Sequence, residues 1–374
     1  FKVHTVFDES EDGITFLHRW ANAIHIDTKV ITLENEAAFF LNKCSKNFAD
    51  LAELERHLRS RKYLRDAKVT SDVNLEKITV TTWDNWSLMP TLSFGRKGGE
   101  NTYSFGIKER NLLGLGINAE IESYQNTQRS GYKLVSTIPL FQKKNTDIKL
   151  RFADNDDGQQ RALFVKKNFA GFHIKNAYLL GFNEESRNDT VFQNDYDQSR
   201  FTHEVSYKEA SYAWLDFNTE NLTIRYSIGL TQDQHTFSAL SEADLLEQDT
   251  APLTNQRPLD RKFIYPWLAF EYIEKDFRKL TNVHLISQIE DFNHGWQINS
   301  RLGLSNGNQE NSAWALWKIQ AKKGFNINSS ALLLFDLSLT GDIYQEQNNR
   351  ILMQLNVEYF YQFNQHWGLY LNNI

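Results

Sequence analysis

The chain has 374 residues, a formal net charge of −6 and 13% aromatic residues, but only 5 prolines. Lysine and arginine are spread along the chain rather than clustered, which argues against nucleic acid as a partner. No run of about 18 apolar residues occurs, which excludes a transmembrane helix. A membrane-spanning β-strand needs only about 9–11 residues with every second one apolar. The negative mean hydropathy of −0.54 is therefore compatible with a membrane β-protein.

The first 85 residues predict a small α+β domain with the element order β-α-α-β-β. Leu51, Leu54 and Leu58 recur at helical spacing, and Asp50 followed by Glu53 predicts a capping box at the start of that helix. The predicted elements are an extended segment at 20–27, helices at 33–40 and 50–61, and strands at 67–73 and 78–83. There is no secretion signal at Phe1, so we expect any such signal to have been removed.

From about Leu88 the pattern changes to period two and stays so, which is typical of strands with one apolar face. The clearest strand covers 353–363, where Phe360 alone breaks the alternation. Short turns alternate with longer polar segments, predicted as loops at 184–199 and 232–261. Several strands reach about ten residues, whereas a soluble β-sandwich, the alternative, usually has strands of about 5–6.

The pattern predicts a mainly β fold, an antiparallel transmembrane β-barrel of roughly 12–14 strands over residues 86–374. Aromatic residues near strand ends suit the two girdles of such a barrel. Charged side chains are costly on a lipid face, so we expect the polar strand positions to face the lumen. These positions are Glu120, Glu122, Arg225, Gln354 and Glu358.

Four segments resemble the BamA/TamA-type outer-membrane assembly family, also called bacterial surface antigens. The run Tyr103–Gly116, with its Phe-Gly and Asn-Leu-Leu-Gly-Leu-Gly elements, resembles the opening hairpin of the family's barrel. Tyr265–Phe277 and Glu290–Gly303 resemble two further barrel segments. Phe48–Val69 resembles the second helix and following strand of a POTRA domain, the periplasmic module that precedes these barrels.

One family feature is missing from the chain. The Val-Arg-Gly-Phe/Tyr tetrapeptide does not occur, and the last residues, Leu371–Ile374, do not end in an aromatic residue. In the family the tetrapeptide follows strands that resemble residues 351–373. We therefore expect that the last barrel strands lie beyond Ile374, which would leave the barrel incomplete with an open edge.

The resemblance implies a protein of the bacterial outer membrane, with the N-terminal domain in the periplasm, that assists barrel insertion or polypeptide translocation without ATP. The family's templating edge is the first barrel strand, which corresponds to Pro90–Phe94 here. We assign Leu92, Ser93 and Phe94 to this edge. The implied partners are outer-membrane lipid, unfolded or nascent outer-membrane proteins and periplasmic lipoproteins.

A second edge is expected in the N-terminal domain, at the strand that begins with Ala67, Lys68 and Val69. An exposed strand edge can pair with an extended client. Replacing Lys68 or Val69 with proline should remove an edge donor. Two other functions remain open: a two-partner-secretion-type transporter, which shares the domain plan, and a porin-like channel, which would lack the N-terminal domain.

No residue pattern indicates an enzyme, a cofactor or a metal site. The ten histidines include no His-Glu-x-x-His motif, and none lies beside a recognisable nucleophile signature. Asp154–Gly158 imitates a calcium loop but has Val165 at the twelfth position, so we expect a hairpin turn. Gly95–Gly99 reads as a turn between the first two barrel strands. Cys44 stands alone, which excludes an intrachain disulfide and favours a buried thiol.

Overall fold

The computed structural model describes residues 1–7, 15–41, 47–97, 99–141, 145–193, 196–240, 257–285, 288–305, 314–328, 330–344, 349–364 and 367–373. Cys44 and one of the ten histidines, His366, lie outside these ranges. No helix within them has the length and apolar character needed to cross a membrane.

The N-terminal module consists of short helices packed on a three-stranded sheet. Its elements are β1 (Lys2–His4), α1 (Phe16–Ile24), α2 (Val30–Glu36), α3 (Ala38–Leu41), α4 (Phe48–Arg59), β2 (Leu64–Ser71) and β3 (Ile78–Asp84). The strand order is β1-β3-β2, with β1 parallel and β2 antiparallel to β3. The core residues Leu33, Phe40, Leu54, Leu58 and Leu64 are almost completely buried, which agrees with the helical leucine spacing of α4.

Two local predictions for this module are wrong. Residues 16–24, partly predicted as extended, form α1, because the amide of Asn22 bonds both backbone groups of Phe7 and holds the helix against the preceding segment. The capping box of α4 begins three residues earlier than predicted. Asn47 is the N-cap and exchanges hydrogen bonds with Asp50 at 2.8 and 2.9 Å.

Apart from one separate hairpin, the strands of the rest of the described chain form one antiparallel sheet of 15 strands, each paired with the next in the sheet. The mainly β fold class is confirmed, and the strand count is one above the predicted range. Its strands are β4 (Leu88–Lys97), β5 (Glu100–Leu112), β6 (Ile117–Gln125), β7 (Ser130–Pro139), β8 (Thr146–Asn155), β9 (Gly158–Lys167), β10 (Asn176–Gln193), β11 (Tyr196–Asn218), β12 (Leu222–Ser238), β13 (Arg261–Glu274), β16 (Gln297–Leu304), β17 (Ala315–Asn328), β18 (Ala331–Ile343), β19 (Arg350–Gln362) and β20 (Gly368–Asn373).

The two segments predicted as long loops are largely strand. Residues 184–193 and 196–199 belong to β10 and β11, and residues 232–238 extend β12. In this part both faces carry polar side chains: Ser186 lies opposite Glu204 on one face, and Arg187 lies opposite His203 on the other. Without a contrast between two faces, the sequence shows no period-two signal even though the backbone ladder continues. Residues 241–256 of the second segment lie outside the described ranges.

The cross-strand register gives the sheet one continuous apolar face. Leu92 lies opposite Phe105, and Ile121 lies opposite both Ile107 and Leu134. Because side chains alternate between faces, the residues between these lie on the other, polar face. There Lys133 contacts Glu122 and Glu120 at 3.2 and 3.7 Å. Glu120 and Glu122 are thus on the face that the sequence predicted for them.

A separate hairpin, β14 (Phe277–Thr281) and β15 (Ile289–Asn293), lies between β13 and β16. Part of the segment Glu290–Gly303, which resembles a barrel segment of the family, therefore belongs to this hairpin. The hairpin loop packs on the polar face of the sheet, where Val283 forms a buried cluster with Leu332 and Phe360. This contact explains why Phe360 breaks the alternation of β19: it faces inward but is covered by an apolar loop.

The module and the β14–β15 hairpin show that the sheet is curled. The Lys29 N–H donates to Gly114 O (2.9 Å) in the turn between β5 and β6, while His284 of the hairpin reaches Glu358 of β19 at 2.7 Å. In a flat sheet the twelve strand steps between β5 and β19 would cover roughly 58 Å. The small module reaches the β5–β6 turn and the short hairpin reaches β19. Both contacts are possible because the sheet curls with its polar face inside.

Candidate functional site

The predicted templating residues lie on β4, the strand at one edge of the large sheet. Leu92, Ser93 and Phe94 pair with Phe105, Ser104 and Tyr103 of β5 on one side only. The opposite edge is β20, which pairs with β19, and in the described ranges β4 and β20 do not pair with each other. One side of β4 therefore presents backbone N–H and C=O groups to a further strand.

The side chains of β4 match this edge position. Leu92 and Phe94 are 83% and 74% exposed on the apolar face, so an added strand would extend that face. Pro90, two residues before Leu92 and on the same face, lies opposite Ile107. Proline cannot donate to a ladder and is confined to edge strands, strand starts or bulges. Pro90 is compatible with this edge position but does not by itself mark it, since Pro266 lies in the interior strand β13.

The second predicted edge, β2, lies at the border of the module's small sheet. Its side chains are less accessible than the prediction implied: Ala67 and Val69 are buried at 1% and 8% exposure, and only Lys68 of the three points to solvent. Side-chain burial does not block strand addition, because pairing uses the backbone. The edge is available only if the backbone N–H and C=O groups on the free side of β2 are not already hydrogen-bonded.

Two side chains of α4 already occupy the free side of β2. The Val69 N–H donates to Glu55 Oε2 (2.9 Å), and Arg59 Nη1 donates to Ala67 O (3.1 Å). The expectation of an exposed edge is thus wrong at these two positions. The alternation of an antiparallel ladder directs the backbone groups of Lys68 towards β3. Proline at position 68 would therefore not remove a donor from the outer edge, whereas proline at position 69 would remove the N–H that Glu55 binds.

Glu55 and Arg59 are in turn fixed by the β14–β15 hairpin. Arg59 forms a two-point ion pair with Asp291, and Lys279 Nζ lies 2.6 Å from Glu55 Oε1. Burial alone would raise the pKa of Glu55, but hydrogen bonds from Lys279, Arg59 and the Val69 N–H outweigh it and lower the pKa to about 2. Sequence reasoning missed this group; its only local signal is the Glu55–Arg59 spacing of four residues.

A second contact joins the module to the turn between β9 and β10. Glu53 accepts a hydrogen bond from the Phe172 N–H, and His173 Nε2 lies 2.9 Å from Phe39 O. In the same turn, Phe169 lies under the Arg225 guanidinium at 4.1 Å. Arg225, predicted to face the lumen, is buried at 6% exposure and pairs with Glu271 at 2.9 Å. It therefore helps to position the module as well as lining the polar face.

A third contact lies where the module continues into the sheet. Asp84, the last residue of β3, accepts from the Thr28 N–H (2.7 Å), and its Oδ2 lies 3.1 Å from His25 Nε2. Asn111 Nδ2 donates to Thr28 Oγ1 at 2.8 Å. Gly114 in the following turn has φ of +71° and approaches Asp27 O so closely that a Cβ atom would lie 2.4 Å from it. This junction therefore requires glycine.

The other residues considered from the sequence do not form a catalytic arrangement in the described part of the chain. Asp154–Gly158 is the expected hairpin turn, since β8 ends at Asn155 and β9 begins at Gly158. His203 stacks on Phe237 and lies 2.8 Å from both Asp189 and His235, in a network without a nucleophile. Gly95 belongs to β4 itself and lies opposite Thr102.

These features define a class of architecture: one large, curled, open antiparallel sheet with an apolar face, a polar face and an α+β module docked at one end. No protein-family model matches the chain, and no curated protein matches it.

Among solved structures, CdiB from Escherichia coli is similar over 97% of this chain and 62% of its own, with 9% identity and a TM-score of 0.47. The chain thus spans less than two thirds of the CdiB chain. BamA from Haemophilus ducreyi lacking POTRA domains 1–3 is similar over 96% of this chain and 67% of its own, with 10% identity and a TM-score of 0.35. Similarity at this level does not assign a function.

Proposed function

We propose that the chain is an outer-membrane protein that assists the insertion or translocation of polypeptides by offering the free side of β4 as a template. The observation that carries this proposal is that β4 is an edge strand with no partner on one side in the described ranges, in a sheet whose outer face is predominantly apolar. The N-terminal module is then a POTRA-like periplasmic domain. The proposal involves no catalytic chemistry and no cofactor.

The distribution of charge supports a membrane location. On the apolar face, leucine, isoleucine and aromatic side chains follow one another across the strands, whereas charged pairs such as Lys108–Glu120 (2.9 Å) lie on the other face. A charged side chain at the bilayer midplane costs about 2–4 kcal/mol. A sheet of this kind is stable with lipid on one side and water on the other.

The mechanism follows from the cost of backbone polar groups in lipid. An unfolded client strand cannot enter the hydrocarbon region until its N–H and C=O groups are paired. Pairing with β4 would satisfy one side of that strand and place its alternate apolar residues beside Leu92 and Phe94. Each inserted strand would offer a new edge to the next, so no ATP is required.

The β2 edge has a different role in this proposal. Because Glu55 and Arg59 occupy its backbone groups, a client or partner lipoprotein must displace these side chains before it can pair there. No side chain caps the free side of β4 in this way among the described residues. We therefore place the primary client contact at β4 and a secondary, gated contact at β2.

Site-specific photo-crosslinking tests the proposal directly. A photoreactive residue at position 93 is compared with one at position 104, which lies on the same face directly opposite Ser93 but in the paired strand β5. With the full chain in lipid vesicles and a nascent barrel protein as client, we expect crosslinks from position 93 and few from 104. Equal yields from both positions, or none from 93, would contradict templating at β4.

The same experiment separates the alternatives. A two-partner-secretion-type transporter would pass its substrate through the interior, so crosslinks would arise at polar-face positions in the middle of the sheet, such as Ser211 of β11 and Ser227 of β12. A porin-like channel would crosslink to no polypeptide from any of these positions. Ion conductance without polypeptide crosslinks would then favour the channel.

A further inference from the structure

His25, Asp27 and Asp84 converge where the N-terminal module meets the large sheet. His25 and Asp27 lie in the link between α1 and α2, and Asp84 ends β3. His25 Nε2 is 3.1 Å from Asp84 Oδ2 and 3.9 Å from Asp27 Oδ1. One ligand atom from each residue lies within 4.8 Å of the other two.

One buried carboxylate oxygen of this cluster has no partner among the described residues. The side chains of His25 and Asp84 are 2% and 0% exposed. Asp84 Oδ2 accepts from the Thr28 N–H, but Asp84 Oδ1 is buried and has no hydrogen-bond partner in the part of the chain that the structure describes. A buried carboxylate oxygen without a partner is costly. A bound cation would offset that cost.

We propose that His25, Asp27 and Asp84 form a binding site for a divalent transition metal, most suitably Zn²⁺. With zinc–ligand distances of about 2.0–2.1 Å, tetrahedral geometry separates ligand atoms by roughly 3.3 Å. The His25–Asp84 and His25–Asp27 separations of 3.1 and 3.9 Å reach that value with sub-ångström movements, and the two carboxylate oxygens lie within 4.8 Å of each other. One imidazole nitrogen among the donors favours zinc over Mg²⁺ or Ca²⁺, which prefer oxygen ligands.

Solvent access completes the coordination. Asp27 is 62% exposed, so water can supply the fourth ligand from its side. A second group, Asp50, Glu53 and His173, has similar proximity but is already engaged. Asp50 caps α4, Glu53 accepts from the Phe172 N–H, and His173 bonds Phe39 O. Only the His25 group combines a buried histidine with a buried, partnerless carboxylate oxygen.

Metal binding here would stiffen the connection between the module and the sheet. The residues that follow the ligands, Thr28 and Lys29, are bonded to Asn111 and Gly114 of the large sheet. A metal that joins Asp84 to the α1–α2 link would therefore hold β3, that link and the β5–β6 turn as one unit. This site goes beyond the proposed function and does not depend on it.

Zn²⁺ titration of the full chain in detergent micelles, after treatment with a chelator, tests the site. Wild type should bind one Zn²⁺ by calorimetry, and Co²⁺ in its place should give the visible absorption of a tetrahedral nitrogen and oxygen site. His25→Ala should weaken binding about 100-fold or more, beyond the 10–100-fold loss typical of outer-shell partners. Asp84→Asn should do the same while keeping an acceptor for the Thr28 N–H.

His4→Ala is the matched control, because His4 is an exposed histidine of the same module that stacks on Trp83. It should leave Zn²⁺ affinity unchanged. The proposal is overturned if wild type binds no Zn²⁺ in the micromolar range, or if His25→Ala and Asp84→Asn bind as tightly as wild type. Either result leaves crosslinking at β4 unaffected, so it is distinguishable from a failure of the proposed function.

Discussion

Arg59 of α4 and Asp291 of β15, 232 positions apart, form a two-point ion pair with Nε–Oδ2 at 2.7 Å and Nη2–Oδ1 at 3.0 Å. Both side chains are buried, at 3% and 9% exposure. Removing one partner of such a pair leaves an uncompensated buried charge, which costs about 3–5 kcal/mol. We expect Arg59→Met to lower the free energy of unfolding of the module by this amount, measured by urea unfolding of the full chain.

A double-mutant cycle separates the ion pair from the packing of the two side chains. Arg59→Met combined with Asp291→Leu should cost less than the sum of the single changes, because no unpaired charge remains. Lys68→Ala, at an exposed position of β2, is the control and should change stability by less than about 0.5 kcal/mol. Additive single effects would show that Arg59 and Asp291 do not interact in solution.

Glu55 controls access to the β2 edge. Glu55→Ala removes the acceptor of the Val69 N–H, and a hydrogen bond with a net value of about 1 kcal/mol corresponds to roughly fivefold faster amide exchange. We expect this increase by hydrogen-exchange mass spectrometry of the peptide containing residues 67–71. Glu55→Gln, which keeps an acceptor oxygen, should show a smaller increase. Unchanged exchange in Glu55→Ala would mean that the edge is not capped.

Stability should fall at acidic pH through two glutamates of the module. Burial would raise the pKa of Glu36, but Arg61, His57 and Tyr63 outweigh it, and the pKa falls to about 2, as for Glu55. A lowered folded-state pKa contributes stability above the ordinary value of 4.5, and this contribution is lost as pH falls from 4.5 to about 2.

Thermal unfolding between pH 6 and pH 2 measures this loss. The melting temperature of wild type should decrease below about pH 4.5, and the decrease should be smaller in Glu36→Gln and Glu55→Gln, which no longer titrate. Glu34→Gln serves as a control, since it removes another glutamate of α2 for which no such ion pair is present among the described contacts. Equal acid sensitivity of all variants would assign the effect to other groups.

Phe360 anchors the β14–β15 hairpin to the sheet. It is 7% exposed and packs with Val283 and Leu332, so Phe360→Ala should cost about 3 kcal/mol and loosen the hairpin loop. Protease cleavage within residues 282–285 should become faster in this variant. Gln354→Ala, at an exposed position on the same face of β19, should not change the cleavage rate. Protection of the loop in Phe360→Ala would contradict this anchoring role.

Period-two patterning was sufficient to predict the large sheet, because a residue's face is determined by its position along a strand. Where both faces are polar, as in β10 after residue 184, the same reasoning predicted a loop in place of a strand. The helical leucines of α4 located that helix, but α1 depends on the bonds between Asn22 and Phe7. These bonds form only after the chain has folded back on itself.

The sequence by itself determined which residues lie on the apolar face of the large sheet and which lie on the polar face, because this property depends on short-range alternation along each strand. Only the tertiary structure decided that the edge of β2 is capped by Glu55 and Arg59, and that Asp84 meets His25. Each arrangement joins residues of different elements, 8 and 14 positions apart at β2 and 59 positions apart for His25 and Asp84. Local periodicity carries no information about such pairs, since they depend on how the module and hairpin dock on the curled sheet.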